Sequence, residues 1–162
     1  MKQDFQEQMF DFLFSNGIKN YVGVPDSTLK KFISHGIKKE RILIATREEE
    51  AIGIAAGMLL SKKPSLVFMQ NAGFANSLST IASLVQLYKF PLIFLIGWRG
   101  YKKNDAPEHT KIGEIQPKLL KDIGFQSKIL KENNWKECCK WAIEKSQKGD
   151  ISALIIPREF VD

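Results

Sequence analysis

Phe5, Met9, Phe12 and Leu13 stand at i, i+4, i+7 and i+8, the apolar stripe of an amphipathic helix, and Gly17 is placed to end it. The run from Tyr21 to Val24 is short and apolar and stops at Pro25, which predicts a strand; Asp26 or Ser27 can then cap a second helix through Phe32 and Ile33. Arg41 to Ala45 repeats the strand pattern. Ile52, Ala55, Ala56, Leu59 and Leu60 then mark one face of a helix that starts near Glu48, and Ser65 to Met69 predicts a third strand. The stretch from Asn71 to Tyr88 opens with Gly73 and Asn76 and continues with Leu78, Ile81, Ala82, Val85 and Leu87. It predicts a loop leading into a buried helix. Leu92 to Ile96 is a fourth strand, apolar on both faces. Gly97 to Thr110, with Gly100, Asp105, Pro107 and His109, shows little periodicity and predicts a long loop, the kind of segment that is often functional. A helix near Ile115 to Ile123, a strand near Gln126 to Leu130, a helix with Trp135, Cys138, Cys139, Ala142 and Ile143 on one face, and a strand from Ser152 to Ile156 complete the pattern.

Strands that alternate with helices along the whole chain predict an α/β domain: a doubly wound, mostly parallel sheet with helices on both faces. In such sheets ligands sit at the carboxyl ends of the strands. That rule selects the segments after Val24, Ala45, Met69 and Ile96, which hold Pro25-Asp26-Ser27, Glu48-Glu49-Glu50, Gln70-Asn71-Ala72-Gly73 and Arg99 through His109.

Composition narrows the function classes. The chain has 162 residues, 44% of them hydrophobic and 26% charged, which suits a single globular domain over 1–162 and argues against disorder or fibrous repeats. The net charge of +6 favours anionic partners in general. The basic residues are scattered, however, and the densest cluster, Lys118 to Lys148, is interleaved with Asp122, Glu132, Glu137 and Glu144 as on a solvated helix face, so neither nucleic acid nor a membrane is the expected partner. The cysteines are the neighbours Cys138 and Cys139, which cannot staple a fold or supply a metal site by themselves. The start of the chain does not resemble a signal peptide, and the most apolar stretch, Ile81 to Trp98, is broken by Gln86, Lys89 and Pro91. A cytoplasmic protein with reduced thiols is expected.

Three consecutive carboxylates at a helix start have a structural reading, because acids there complement the helix dipole. Gly53 and Gly57 inside the same helix are less easily dismissed, since each costs about 1 kcal/mol against alanine. Their spacing puts both on one side of the helix, where they permit close packing by another element or a neighbouring chain. Gln70 to Asn76 puts amides and a glycine where a strand enters a helix, a place that can bind an anion or the polar edge of a heterocycle, or simply turn the chain. Of the two histidines, His109 lies in the long polar segment, whereas His35 ends a short helix and reads as a surface residue.

Taken together, Gly23-Val24-Pro25-Asp26-Ser27, Ala45 through Gly57 with Glu48-Glu49-Glu50, Met69 through Leu78 with Gln70-Asn71-Ala72-Gly73, and Asp105-Ala106-Pro107-Glu108-His109 resemble the pyrimidine-binding domain of the thiamine diphosphate decarboxylases that act on sulfopyruvate and phosphonopyruvate. In that family a glutamate nine residues before the helix glycine hydrogen-bonds a ring nitrogen of the cofactor's aminopyrimidine. Counting back from Gly57 reaches Glu48. The resemblance therefore implies that Glu48 is the catalytic acid, with Glu49 and Glu50 as helix-start charges. It further implies that Gln70, Asn71, Gly73 and Asn76 line the cofactor pocket, and that Pro25, Ser27, Asn71, Arg99 and His109 face the substrate. His109 would serve as a proton donor or as a partner for the substrate's distal anion. Arg99 is a candidate for that anion because a guanidinium can hold sulfonate or phosphonate oxygens by two hydrogen bonds.

The Gly-Asp-Gly stretch and following Asn segment with which such enzymes hold magnesium and the diphosphate do not occur in these residues. The resemblance thus implies an alpha subunit, active only with a beta subunit that carries the diphosphate-binding domain and Mg2+, in a hetero-oligomer with an even number of each chain. The alternative is a non-catalytic cofactor- or partner-binding domain of the same fold.

Overall fold

The computed structural model describes residues 4–101 and 105–158. Helix α1 (Phe5–Ser15) starts at Asp4, whose carboxylate accepts from the Gln6 amide at 2.8 Å. It is followed by β1 (Asn20–Gly23), a single 3-10 turn (Ser27–Leu29), α2 (Lys30–Lys38), β2 (Ile42–Ile44), α3 (Glu48–Leu60) and β3 (Ser65–Gln70). Then come α4 (Asn71–Asn76), α5 (Leu78–Thr80), a π-helical turn (Ile81–Gln86), β4 (Ile93–Trp98), α6 (Pro107–Asp122), β5 (Gln126–Ile129), α7 (Trp135–Gln147) and β6 (Ser152–Pro157).

The six strands form one sheet in the order β2-β1-β3-β4-β6-β5, every neighbouring pair parallel. Successive side chains of a strand point to opposite faces, and each face has its own core. Leu66, Phe68, Ile93, Leu95, Leu154 and Ile156 pack with α1, α2 and α7. Val67, Met69, Phe94, Ile96, Ala153 and Ile155 pack with α3, α4, the π-helical turn and α6. Both faces being covered explains why the central strands read as unbroken apolar runs. Each fully buried large side chain, such as Phe68, Phe74 or Phe94, contributes about 1.5–3 kcal/mol. The chain leaves β1 toward β2 on one side and reaches β3 on the other, so the order reverses beside β1 and opens a crevice at the carboxyl ends of these strands.

Four expectations are corrected. The segment after β3 is not a loop: α4 begins at Asn71, directly off the strand, and carries Gly73 within it. The stretch from Gly97 to Thr110 is not one loop throughout, because Gly97 and Trp98 complete β4 and α6 starts at Pro107, a residue suited to a first helical turn. Only 99–106 separates the two elements, and residues 102–104 lie outside the described part. Helix α6 therefore begins well before Ile115 and runs through Pro117. His35 is also less free than a surface residue, since its Nε2 lies 3.0 Å from Asp11 Oδ1 and its ring meets Phe10 edge-on.

Candidate active site

The segments selected by the strand-end rule lie at the carboxyl ends of β2, β1, β3 and β4, four strands adjacent in the sheet. At the start of α3 the three acids part ways. Glu50 accepts a hydrogen bond from the Thr46 amide at 2.7 Å, an N-terminal capping bond, and Glu49 stands 3.6 Å from the Arg47 side chain. The half-buried Glu48 carboxyl has no hydrogen-bond or ion-pair partner among the described residues. It lies directly over Gly73 of α4, where a β-carbon would collide with its carboxyl group and with Cγ. Gly73 is thus the space that Glu48 occupies, which explains a helix-disfavouring residue inside α4.

Asp26, buried after β1, accepts from Gln70 Nε2 at 3.0 Å and from the Thr28 amide at 3.1 Å. Its carboxylate fills the space beside Gly97, where a side chain would displace it. The charge of Asp26 is therefore turned into the strand ends. Beneath it, Gln6 of α1 donates to the Thr28 carbonyl at 2.9 Å and accepts from the Phe32 amide at 3.1 Å, fixing the turn that carries Ser27. Ser27 and Pro25 are exposed and line, with Asp26, Lys30, Ile33 and Ser34, an open recess of about 270 Å³.

Arg99, just past β4, is held twice. The fully buried Asn71 side chain brackets its peptide groups, donating to the Arg99 carbonyl at 3.0 Å and accepting from the Arg99 amide at 3.1 Å. Its guanidinium donates through Nε to Asp105 Oδ2 at 2.8 Å and through Nη2 to Oδ1 at 2.5 Å, a two-pronged pair in which the side chains are 16% and 8% exposed. The Gly100 and Ala106 amides each donate to the same carboxylate at 2.8 Å. The Arg99 hydrogen bonds and these two amides hold the Asp105 carboxyl well below the usual carboxylate range, although burial opposes them. Asp105 in turn raises the Arg99 value above its ordinary one. Arg99 Nη1 reaches Ser27 Oγ at 3.1 Å, joining the end of β4 to the end of β1.

His109 falls in the first turn of α6, half-buried. Gly100, with φ +71°, lies against the His109 carbonyl so closely that a β-carbon there would overlap it, and Gly113 one turn on touches the Gly100 carbonyl. The Trp98 indole donates to the Gly113 carbonyl at 2.9 Å and completes the seat of α6 on β4. Asn76, by contrast, is exposed at the last residue of α4 and joins none of these contacts. Among the described residues no cluster of three His, Cys, Asp or Glu is arranged to hold a metal ion, and no helix is long and apolar enough to cross a membrane.

The structure thus brings together Ser27, Asn71 and Arg99, and separately Glu48 with Gly73. Sequence reasoning had assigned no part to Asp105, although it stands in the quoted Asp-x-Pro-x-His stretch six residues from an arginine. Nor did it find that Asp26 binds Gln70, which no local pattern encodes because the pair is 44 residues apart.

A row of polar groups along the carboxyl ends of adjacent parallel strands defines the class, a doubly wound α/β domain with a crevice at its topological switch. Residues 3–123 match the family described as thiamine pyrophosphate enzyme, N-terminal TPP binding domain, and the chain belongs to that family. It is 36% identical over 115 residues to the sulfopyruvate decarboxylase subunit alpha of Methanocaldococcus jannaschii, covering 69% of this chain and 68% of that one. The corresponding subunit of Methanococcus maripaludis is 31% identical over 119 residues, 72% of this chain and 71% of its own length. A phosphonopyruvate decarboxylase of Streptomyces viridochromogenes is 33% identical over 107 residues, 64% of this chain but 27% of that longer one. Among solved structures, benzoylformate decarboxylase from Polynucleobacter necessarius superimposes with a TM-score of 0.80 over 99% of this chain and 31% of its own length. At 20% identity that likeness bears on the fold.

Proposed function

We propose that this chain is the alpha component of a two-chain, thiamine diphosphate-dependent decarboxylase that converts 3-sulfopyruvate or 3-phosphonopyruvate to the corresponding acetaldehyde and carbon dioxide in the cytoplasm. The observation that carries the reading is the state of Glu48: of three adjacent acids it alone has no partner among the described residues, set over Gly73 at the end of β2. The residues present fit the cofactor's aminopyrimidine, because a half-buried carboxyl with no partner among the described residues is free to share a proton with a ring nitrogen. When bound, thiamine diphosphate supplies the electron sink for breaking the bond between keto carbon and carboxylate. Glu48 would hold and return the proton at its carboxyl oxygen. Ser27 and Arg99 would bind and orient the anionic substrate, and His109 would donate a proton or meet the distal anion.

The partner would carry the diphosphate-binding domain and Mg2+. Support comes from the outer face of α3, where Gly53 and Gly57 are exposed and nothing lies within 4 Å of a β-carbon built on either. The close approach that these glycines permit is therefore not made by any described residue of this chain. Leu60 and Leu87, which the apolar pattern assigns to buried stripes, are instead 74% and 66% exposed: Leu60 falls on the glycine face of α3, and Leu87, with exposed Tyr88, follows the π-helical turn that packs beside α3. A second chain covering this patch would pack on the helix whose first turn carries Glu48.

The test is carbon dioxide release by the chain co-purified with a partner carrying the diphosphate-binding domain, supplied with magnesium, thiamine diphosphate and, in parallel, 3-sulfopyruvate or 3-phosphonopyruvate. Turnover of either is the expected result. Cofactor binding without turnover of either would overturn the substrate class, and absence of cofactor binding would overturn the catalytic reading altogether.

A further inference from the structure

Asp105 is more heavily bonded than any other side chain of the site. Each of its oxygens receives one bond from the Arg99 guanidinium and one from a backbone amide, Gly100 for one oxygen and Ala106 for the other. A carboxylate filled in this way is itself unavailable as a base or as a ligand. Its effect must pass through Arg99. A guanidinium has five N–H donors. Two go to Asp105 and one to Ser27, so two have no partner among the described residues, and the planar fork cannot swing because its Nε edge is pinned while Asn71 pins its backbone.

We propose that Asp105 is a positioning residue for substrate selection: it orients Arg99 so that the two remaining N–H groups, beside Ser27, receive the distal anion of the substrate. The inference rests on the substrate class proposed above. The Arg99–Asp105 pair is electrically neutral as a unit, so what it offers an anion is direction and not net charge. A lysine at 99 would be neutralised by Asp105 without presenting a planar pair of donors, so it cannot replace the arginine. Lys30, exposed in the same recess as Ser27, is left to supply the unspent positive charge.

The experiment uses the assembled complex and the variants D105N and R99K. In D105N an amide N–H faces the guanidinium, so KM for 3-sulfopyruvate and 3-phosphonopyruvate is expected to rise at least tenfold, while kcat falls by less than threefold and thiamine diphosphate affinity stays at the parental value. R99K is expected to show the same split. A D105N complex that loses kcat and cofactor affinity together with KM unmoved, or that moves none of the three, would overturn the proposal. Should D105N fail to assemble, R99K, which leaves the two amide bonds to Asp105 in place, decides by the same criteria. If the parent complex turns over neither substrate, the substrate reading fails by itself. Titration with sulfoacetate and acetate then decides on Asp105: a parental preference for sulfoacetate that D105N abolishes sustains the role, and no preference, or one that D105N retains, overturns it.

Discussion

The two halves of this sheet follow the same local rules and end in different chemistry. On one side, β2, β1, β3 and β4 finish in side chains that bond across long stretches of sequence: Gln70 to Asp26, Asn71 to Arg99, and Arg99 to Ser27, the last 72 residues apart. On the other, most side-chain bonds around β6 and β5 join near neighbours, such as Asn134 to Lys131 and Lys145 to Asp150, Ser146 to the Pro91 carbonyl being an exception, and α7 turns Cys138, Cys139, Ala142 and Ile143 into the core. The family match also stops at Ile123, before β5. Strand ends alone do not make a site. What makes one is a set of side chains from different strands that hold one another and leave a group such as Glu48 unspent.

That contrast can be broken in order of expected effect. Glu48→Gln should lower carbon dioxide release by the complex about 10²- to 10⁴-fold, the usual worth of a placed acid–base group. Size-exclusion chromatography should show the complex unchanged, and activity within threefold of the parent would remove the distinction between Glu48 and its neighbours. Gly73→Ala should cost about 10²-fold, because the new methyl group displaces the Glu48 carboxyl by the kind of distance that ruins alignment. Retained activity would mean that Glu48 acts from another position. In the opposite half, Cys139→Ser should destabilise the chain by about 1–3 kcal/mol in urea titrations through an unpaired buried hydroxyl, with turnover per folded molecule unaltered. Its parent thiol is pushed up by burial, so the folded chain should resist iodoacetamide at Cys139.

The smallest effect concerns pH. Asp105 has a lowered carboxyl value in the folded chain, so its contribution to stability is complete above the unfolded value of about 4 and is lost as pH falls through the folded one. The difference in unfolding free energy between the parent and D105N should be constant from pH 5 to 8 and shrink below about pH 4. A difference that changes between pH 6 and 8 would point to some other titrating group.

Much of this architecture was legible from periodicity. The central strands were visible because both of their faces are buried, and α1, α3 and α7 because each buries one stripe. The failures fall where tertiary demands chose the residues. Gly73 reads as a turn signal yet sits in a helix because Glu48 needs its space, and Asn71, in a segment that reads as a binding or turning stretch, spends its side chain on the Arg99 backbone. Gly100 and Pro107 suggested one long loop, whereas the first is a contact point for α6 and the second opens it. Glu48 was singled out by a family spacing; its lack of a partner among the described residues is a property of the fold. The bonds of Asp26 and Asp105 could not be read in advance, since a carboxylate in sequence carries no mark of what it will meet.

The Trp98 side chain, hooked to Gly113 and 4.6 Å from the Tyr101 ring, gives the protein an optical consequence. The other two tryptophans, Trp135 and Trp141, both belong to α7, on the opposite face of the sheet. With those two changed to phenylalanine, the remaining indole becomes a single fluorophore at the joint between β4 and α6, whose emission reports on the Arg99 side of the molecule without any attached label.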